Sequence, residues 1–237
     1  MITNLEQYLK PNPYLRPPRP CPELWAPPEP SRGLRAVPLV SRGSSHGHIV
    51  LDDCWLDFES RLERNVALAF LARHDTAQVV EQTPRVVYRD DDGKYREHVF
   101  DLRVTKTDGT KVAVFVKPSA LYRPEHRRML KLIAEQMSPE VAHEVWAVTE
   151  KKLRRADLYN AEFIQEVSRD PDPDDDAVIA GLISDLTGPV KIDDLVEASG
   201  LDGYGFRAIV RAIAAKKIRL TKPGKIVRSA SIERIGR

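Results

Sequence analysis

Ten of the eighteen prolines in this chain fall within residues 11–38. Each fixes φ near about −65° and removes a backbone donor, so the stretch can form neither a helix nor an inner strand. The segment 1–48 is therefore predicted to be an extended arm. Leu24, Trp25 and Leu34 are its candidate anchors, and SRGSSHGH (41–48) is its flexible joint. The globular part must be built from residue 49 onward. The whole chain has 237 residues, 42% hydrophobic and 30% charged, which suffices for one or two domains with real cores.

The two cysteines, Cys21 and Cys54, stand apart, without metal-ligand spacing. That excludes a disulfide scaffold and a zinc finger. No apolar run approaches the length of a membrane helix, and the N-terminus lacks the apolar segment of a secretory signal. The expectation is a cytoplasmic protein with no membrane partner.

Local signals order the elements after the arm. Asp57-Phe58-Glu59-Ser60 opens a helix that His74-Asp75 ends, with Leu62, Val66, Ala69 and Phe70 at helical spacing. Three antiparallel strands come next: Thr83–Arg89, Tyr95–Thr105 and Val112–Lys117. Their turns are Asp90–Gly93 and Asp108-Gly109, and Pro118 is the stop. A helix over Pro124–Met137, a short strand over Val145–Thr149 and a helix over Leu153–Val167 complete a mixed α/β domain, 49–168. Residues 169–176, rich in Asp and Pro, read as an acidic linker.

The last segment, 177–237, predicts helices over Ala177–Leu186, Ile192–Ser199 (stopped by Gly200) and Gly205–Lys216. A hairpin of Ile218–Leu220 and Ile226–Ser229 turns through Lys222-Pro223-Gly224. Three helices and a small wing is the winged helix-turn-helix order. Charge is segregated here. Residues 202–237 hold ten Lys/Arg against two acids, while residues 162–197 hold eleven acids against two bases. Such asymmetry predicts a local polyanion-binding surface. Arg207, Arg211 and Lys216 on the third helix are its candidates, with Lys217, Arg219 and Lys225 beside and on the wing. The helix after the sheet adds Arg127, Arg128 and Lys131.

Within the first domain, Glu63 lies on a helix, Asp101 in an apolar strand and Lys117 at the end of the next strand. Phosphodiester hydrolysis needs hard oxygen ligands for Mg²⁺ and a cation near the developing charge. Adjacent strands can bring Asp101 and Lys117 to one edge. A purely structural Asp101–Lys117 ion pair is the alternative, because a buried carboxylate needs a partner.

Five ordered segments carry a resemblance. FESRLER (58–64), VVEQTPRVVY (79–88), the Asp101 strand, VFVKP (114–118) and WAVTEKKLRRADLYNAEFI (146–164) resemble the TnsA-type endonuclease subunit of heteromeric bacterial transposases. The resemblance implies a restriction-endonuclease-like PD-(D/E)xK fold followed by a winged helix. It also implies a Mg²⁺-dependent DNA endonuclease acting on double-stranded DNA beside a transposase or ATPase regulator. Glu63 would be the helix acid, Asp101 the central metal ligand and Lys117 the catalytic lysine. Two positions depart from that pattern. Phe115 stands where a third ligand belongs, and Phe100 where a proline usually precedes the aspartate. Glu59, one turn before Glu63, is the substitute ligand, and Glu81 a weaker one.

The expected function is DNA binding in transposition or mobile-element processing, at the nucleoid, with cleavage left open by Phe115. The alternatives are a catalytically inactive architectural or regulatory DNA-binding protein, and a protein-interaction module of a recombination complex.

Overall fold

The computed structural model describes residues 28–34, 45–51 and 54–235. Leu24, Trp25, Cys21 and most of the expected arm lie outside the described residues. Leu34 is exposed and anchors nothing. Part of the expected joint is a strand: β1 (Gly47–Val50) pairs antiparallel with β2 (Trp55–Phe58). The backbone of residues 28–34 lies against this ribbon, and the Trp55 N–H donates to the Glu29 carbonyl at 3.0 Å.

The first helix, α1 (Arg61–Leu71), begins at Ser60 rather than at Asp57, which belongs to β2. Ser60 caps it by accepting from the Glu63 N–H, and Glu63 reaches back to the Glu59 N–H. This reciprocal box satisfies two otherwise orphaned donors.

The expected three strands are five. Strand β3 (Thr76–Glu81) is separate from β4 (Arg85–Arg89), and β5 (Tyr95–Val99) is separate from β6 (Leu102–Lys106). Both breaks sit side by side. Gln82 adopts φ 48°, the Thr83–Pro84 bond is cis, and the Gln82 N–H donates to the Asp101 carbonyl at 2.7 Å. The β4–β5 hairpin thus leaves the main sheet as its own ribbon. Across the second break, Phe100 and Leu102 enter different cores, although in an unbroken strand residues two apart share a face.

The main sheet runs β3-β6-β7-β8, with β7 spanning Lys111–Val116 and β8 Glu144–Val148. Its first three strands are antiparallel neighbours, and β8 runs parallel to β7. Helix α2 (Pro124–Gln136) makes the crossover that a parallel pair requires. Helices α1 and α3 (Arg155–Ser168) cover one face, over Val112 and Val114. Helix α2 covers the other, placing Leu130 and Ile133 against Ala113 and Phe115. Strand β7 is buried on both faces, which explains its unbroken apolar run VAVFV. The chain is thus of mixed α/β class.

Beyond α3, the helix expected from Ala177 begins at Pro173, inside the expected linker. It is α4 (Pro173–Ser184), capped by Asp172, with Pro at the first turn and Asp174–Asp176 beside the positive helix end. Those residues signal a helix start as much as a linker. Helix α5 (Ile192–Ser199) ends at Gly200, whose φ of 65° suits glycine. Helix α6 (Asp202–Ala214) comes after it. The closing sheet runs β10-β11-β9, from Ile218–Leu220, Ser231–Arg234 and Val190–Lys191. The second wing strand is therefore Ser231–Arg234, not Ile226–Ser229. Ile226 is buried as a strand residue would be, yet its N–H goes to the Asn160 side chain at 2.7 Å.

Helix α3 joins the two cores, with Ala161 in the first and Val167 in the second. Among the described residues, no helix is long and apolar enough to cross a membrane.

Candidate functional site

Strand β6 begins and β7 ends at the same edge of the sheet, because Leu102 faces Val114 in antiparallel register. Asp101 and Lys117 therefore meet there. The Asp101 carboxylate accepts from the Val116 N–H at 2.6 Å. Burial raises its pKa, with Glu63 and Glu59 adding to the rise. The Val116 hydrogen bond and Lys117 oppose it, and the balance stands at about 7. Burial is the chief cause: a carboxyl removed from water favours its neutral form, and the two glutamates add to that. Among the described residues no ion pair joins Asp101 to Lys117, so the purely structural pairing is not formed.

The structure thus brings three expected residues, Glu59, Glu63 and Lys117, into electrostatic reach of Asp101. Glu63 also serves as a helix cap, accepting from the Glu59 N–H at 2.8 Å and the Ser60 hydroxyl at 2.9 Å. Glu81 is not one of the charges acting on Asp101. It is buried and accepts from the Asp57 N–H at 3.1 Å and from the Ser31 hydroxyl. Its work is to hold residues 28–34 against the sheet.

Phe115 is 7% exposed and packs under α2. Its ring centroid lies 5.6 Å from both His98 and His126 and 6.4 Å from Tyr122. Phe100 is fully buried, with His98 edge-on at 4.8 Å. Burial holds His98 below the ordinary histidine range, with the charge of His126 acting the same way, and its Nε2 lacks a hydrogen-bond partner. The ligand position before Lys117 is thus part of an aromatic core.

Asp101, Glu59 and Glu63 are the carboxylates available to a hard cation. Among the described residues, no three His, Cys, Asp or Glu side chains converge as a finished cage. Magnesium is commonly held by one or two carboxylates plus substrate phosphate oxygens. The donor chemistry at Asp101 fits such a shared site.

The expected DNA-facing cations are placed less favourably. Helix α6 packs against α3, α4 and α5. Arg211 is 10% exposed and binds Asp176 at 2.8 Å, with a further bond to the Asp170 carbonyl. Arg207 lies 3.7 Å from Glu166 and 3.8 Å from Asp170. Lys216 donates to the Thr76 carbonyl. All three are engaged by the protein's own acceptors, Arg207 and Arg211 by residues of the acidic run and Lys216 by a backbone carbonyl. Arg219 pairs with Glu233 at 2.8 Å, Lys225 sits 4.7 Å from the Tyr159 ring centroid, and Lys217 is exposed. On α2, Arg128 pairs with Asp91 at 2.6 Å and Lys131 with Glu135 at 3.7 Å, while Arg127 is exposed.

One group escaped the sequence reading. Glu150 accepts from the Ser119 N–H at 2.8 Å and from its hydroxyl, tying the turn after Lys117 to the run Lys151-Lys152-Leu153-Arg154-Arg155. The run KKLRR is visible in the sequence, but its neighbourhood to Lys117 is not. No family model matches the chain, and no curated protein matches it in sequence.

Proposed function

We propose that this chain is a DNA-processing protein of mobile-element recombination. In this reading a restriction-endonuclease-like domain meets double-stranded DNA, and a C-terminal winged helix-turn-helix helps to hold it in the complex. It acts in the TnsA manner, beside a transposase or an ATPase regulator subunit, at the nucleoid. The observation that carries the reading is that Asp101, at one sheet edge, lies within electrostatic reach of Lys117, of Glu63 on α1 and of Glu59 just before it. The order of helix, three antiparallel strands, crossover helix and parallel strand supports it.

Asp101 and Glu59 would hold Mg²⁺, with Glu63 kept in line by its cap. When bound, the metal polarises the phosphodiester and activates water. Asp101 must shed its proton to serve, and the Val116 N–H keeps its carboxylate oriented. Lys117 offsets negative charge developing on the phosphate.

Nicking of supercoiled DNA in Mg²⁺ or Mn²⁺, by wild type and by Asp101→Ala, tests this. Metal-dependent nicking lost in the variant is expected. DNA binding without nicking in either protein would favour the second reading, an inactive architectural or regulatory factor, for which the buried Phe115 ring speaks.

A further inference from the structure

A cleft of about 950 Å³ separates the main sheet's β8 side from the C-terminal sheet. Its floor is apolar: Phe70, Trp146, Leu153, Ile164, Ile213 and Ile218 line it. Among its lining cations, Arg73, Arg154 and Arg219 pair with Asp75, Asp157 and Glu233 and Lys152 donates to the Ala147 carbonyl, whereas Lys222 has no ion pair among the described residues. Just outside, Lys151, Arg155 and Lys225 are exposed. Among the described residues, Lys151, Arg155 and Lys222 enter no ion pair, unlike the cations of α6.

The two banks are held in place. The Asn160 side chain donates to the Gly224 carbonyl at 2.8 Å and accepts from the Ile226 N–H at 2.7 Å. This fixes the loop carrying Lys222 and Lys225 against α3, whose first turn carries Arg155. Tyr159, 41% exposed, neighbours the cleft-lining Asn160 in sequence, and the Lys225 ammonium lies 4.7 Å from its ring centroid. The Glu150–Ser119 bonds connect the α3 bank to the edge holding Lys117.

We propose that this cleft binds a single-stranded segment of nucleic acid, phosphates along the basic rim and bases over the apolar floor and Tyr159. The proposal rests on the DNA-processing reading and names the form of DNA that continues away from the Asp101 edge. A cationic track combined with an apolar or aromatic platform is what unpaired bases need. A duplex keeps its bases inside and offers such a floor nothing.

The test is fluorescence anisotropy with full-length protein, using labelled oligothymidylate of about 20 nucleotides, longer than one such site, and a duplex of the same length. Wild type is expected to bind the single strand more tightly. The combined Lys151→Ala, Arg155→Ala, Lys222→Ala, Lys225→Ala variant should lose about tenfold or more of that affinity. Its salt slope should fall by ~0.7 for each phosphate contact removed. Tyr159→Ala should lose about fivefold or more of the single-strand affinity, and melting curves check that both variants fold. If wild type binds both DNAs and the combined variant loses nothing, the cleft proposal is overturned and the DNA reading stands. If wild type binds neither DNA, the DNA reading fails and the proposal with it. Binding of polyglutamate but no DNA, lost in the same variant, would make the cleft an acidic-polypeptide site and overturn the proposal as well.

Discussion

The sheet edge at Asp101 and the basic helix α6 are opposite solutions to the same problem of concentrated charge. At the edge, Glu59 and Glu63 act on a buried Asp101 that has Lys117 nearby but no ion pair with it, and the carboxyl is pushed up to about 7. On α6, Arg207 and Arg211 have their counter-charges supplied by Glu166, Asp170 and Asp176. A cluster that the fold leaves uncompensated has free energy to gain from a ligand. One that the fold neutralises has already used its charge for packing.

The strongest way to sharpen this contrast is to load that edge further. Phe115→Glu removes a buried ring worth about 3–5 kcal/mol and puts a carboxylate two residues before Lys117, at a position packed under α2. We expect at least that loss of stability in urea unfolding without divalent metal, partly restored by Mn²⁺ or Mg²⁺. A melting temperature indifferent to metal would mean that this position does not reach a cation site.

Asp101→Asn is the reverse manipulation. The folded pKa of about 7 lies above the ordinary 3.8, so the folded state favours the protonated acid. Stability associated with Asp101 is full below the ordinary value, declines as pH rises towards 7 and stays lost above it. The neutral variant should therefore equal wild type near pH 4 and exceed it near pH 8, by up to on the order of 4 kcal/mol. Equal stability at both pH values would show that burial does not raise the Asp101 carboxyl.

For the compensated region, Arg211→Ala should cost about 2–3 kcal/mol, less than a fully buried pair because Asp176 keeps 35% of its side chain exposed. The salt slope of DNA binding should stay unchanged. A reduced slope would mean that Arg211 reaches phosphate after all, and the contrast would collapse.

The smallest effect is expected at Ser31→Ala. Buried Glu81 would keep the Asp57 N–H and lose the serine hydroxyl, a change of about 1–2 kcal/mol measurable in thermal melts. No change would mean that residues 28–34 add nothing to the fold.

Signals that act over a few residues were readable in the chain itself. Proline at the start of α2, the stop at Gly200 and the buried run of β7 need only local sterics and hydrogen bonding. Asp101 stood out between Phe100 and Leu102, whereas Glu63 and Lys117 were singled out by the family resemblance. The breaks after β3 and β5 were not. Each is set by the other, through Gln82 and Asp101, whose positions in the chain are far apart. The last strand was misplaced because Ile226 joins the C-terminal core while its N–H is taken by the Asn160 side chain on α3 rather than by a neighbouring strand.

Composition and spacing determined that this chain has an α/β core and a charge-segregated C-terminal part. Only the tertiary structure decided which of those charges are neutralised. Coulomb energy depends on distance and solvent access rather than on position along the chain. The acidic run therefore pairs with α6, Asp101 is buried without an ion pair, and of the KKLRR run Arg154 pairs with Asp157 while Lys151 and Arg155 enter no ion pair among the described residues.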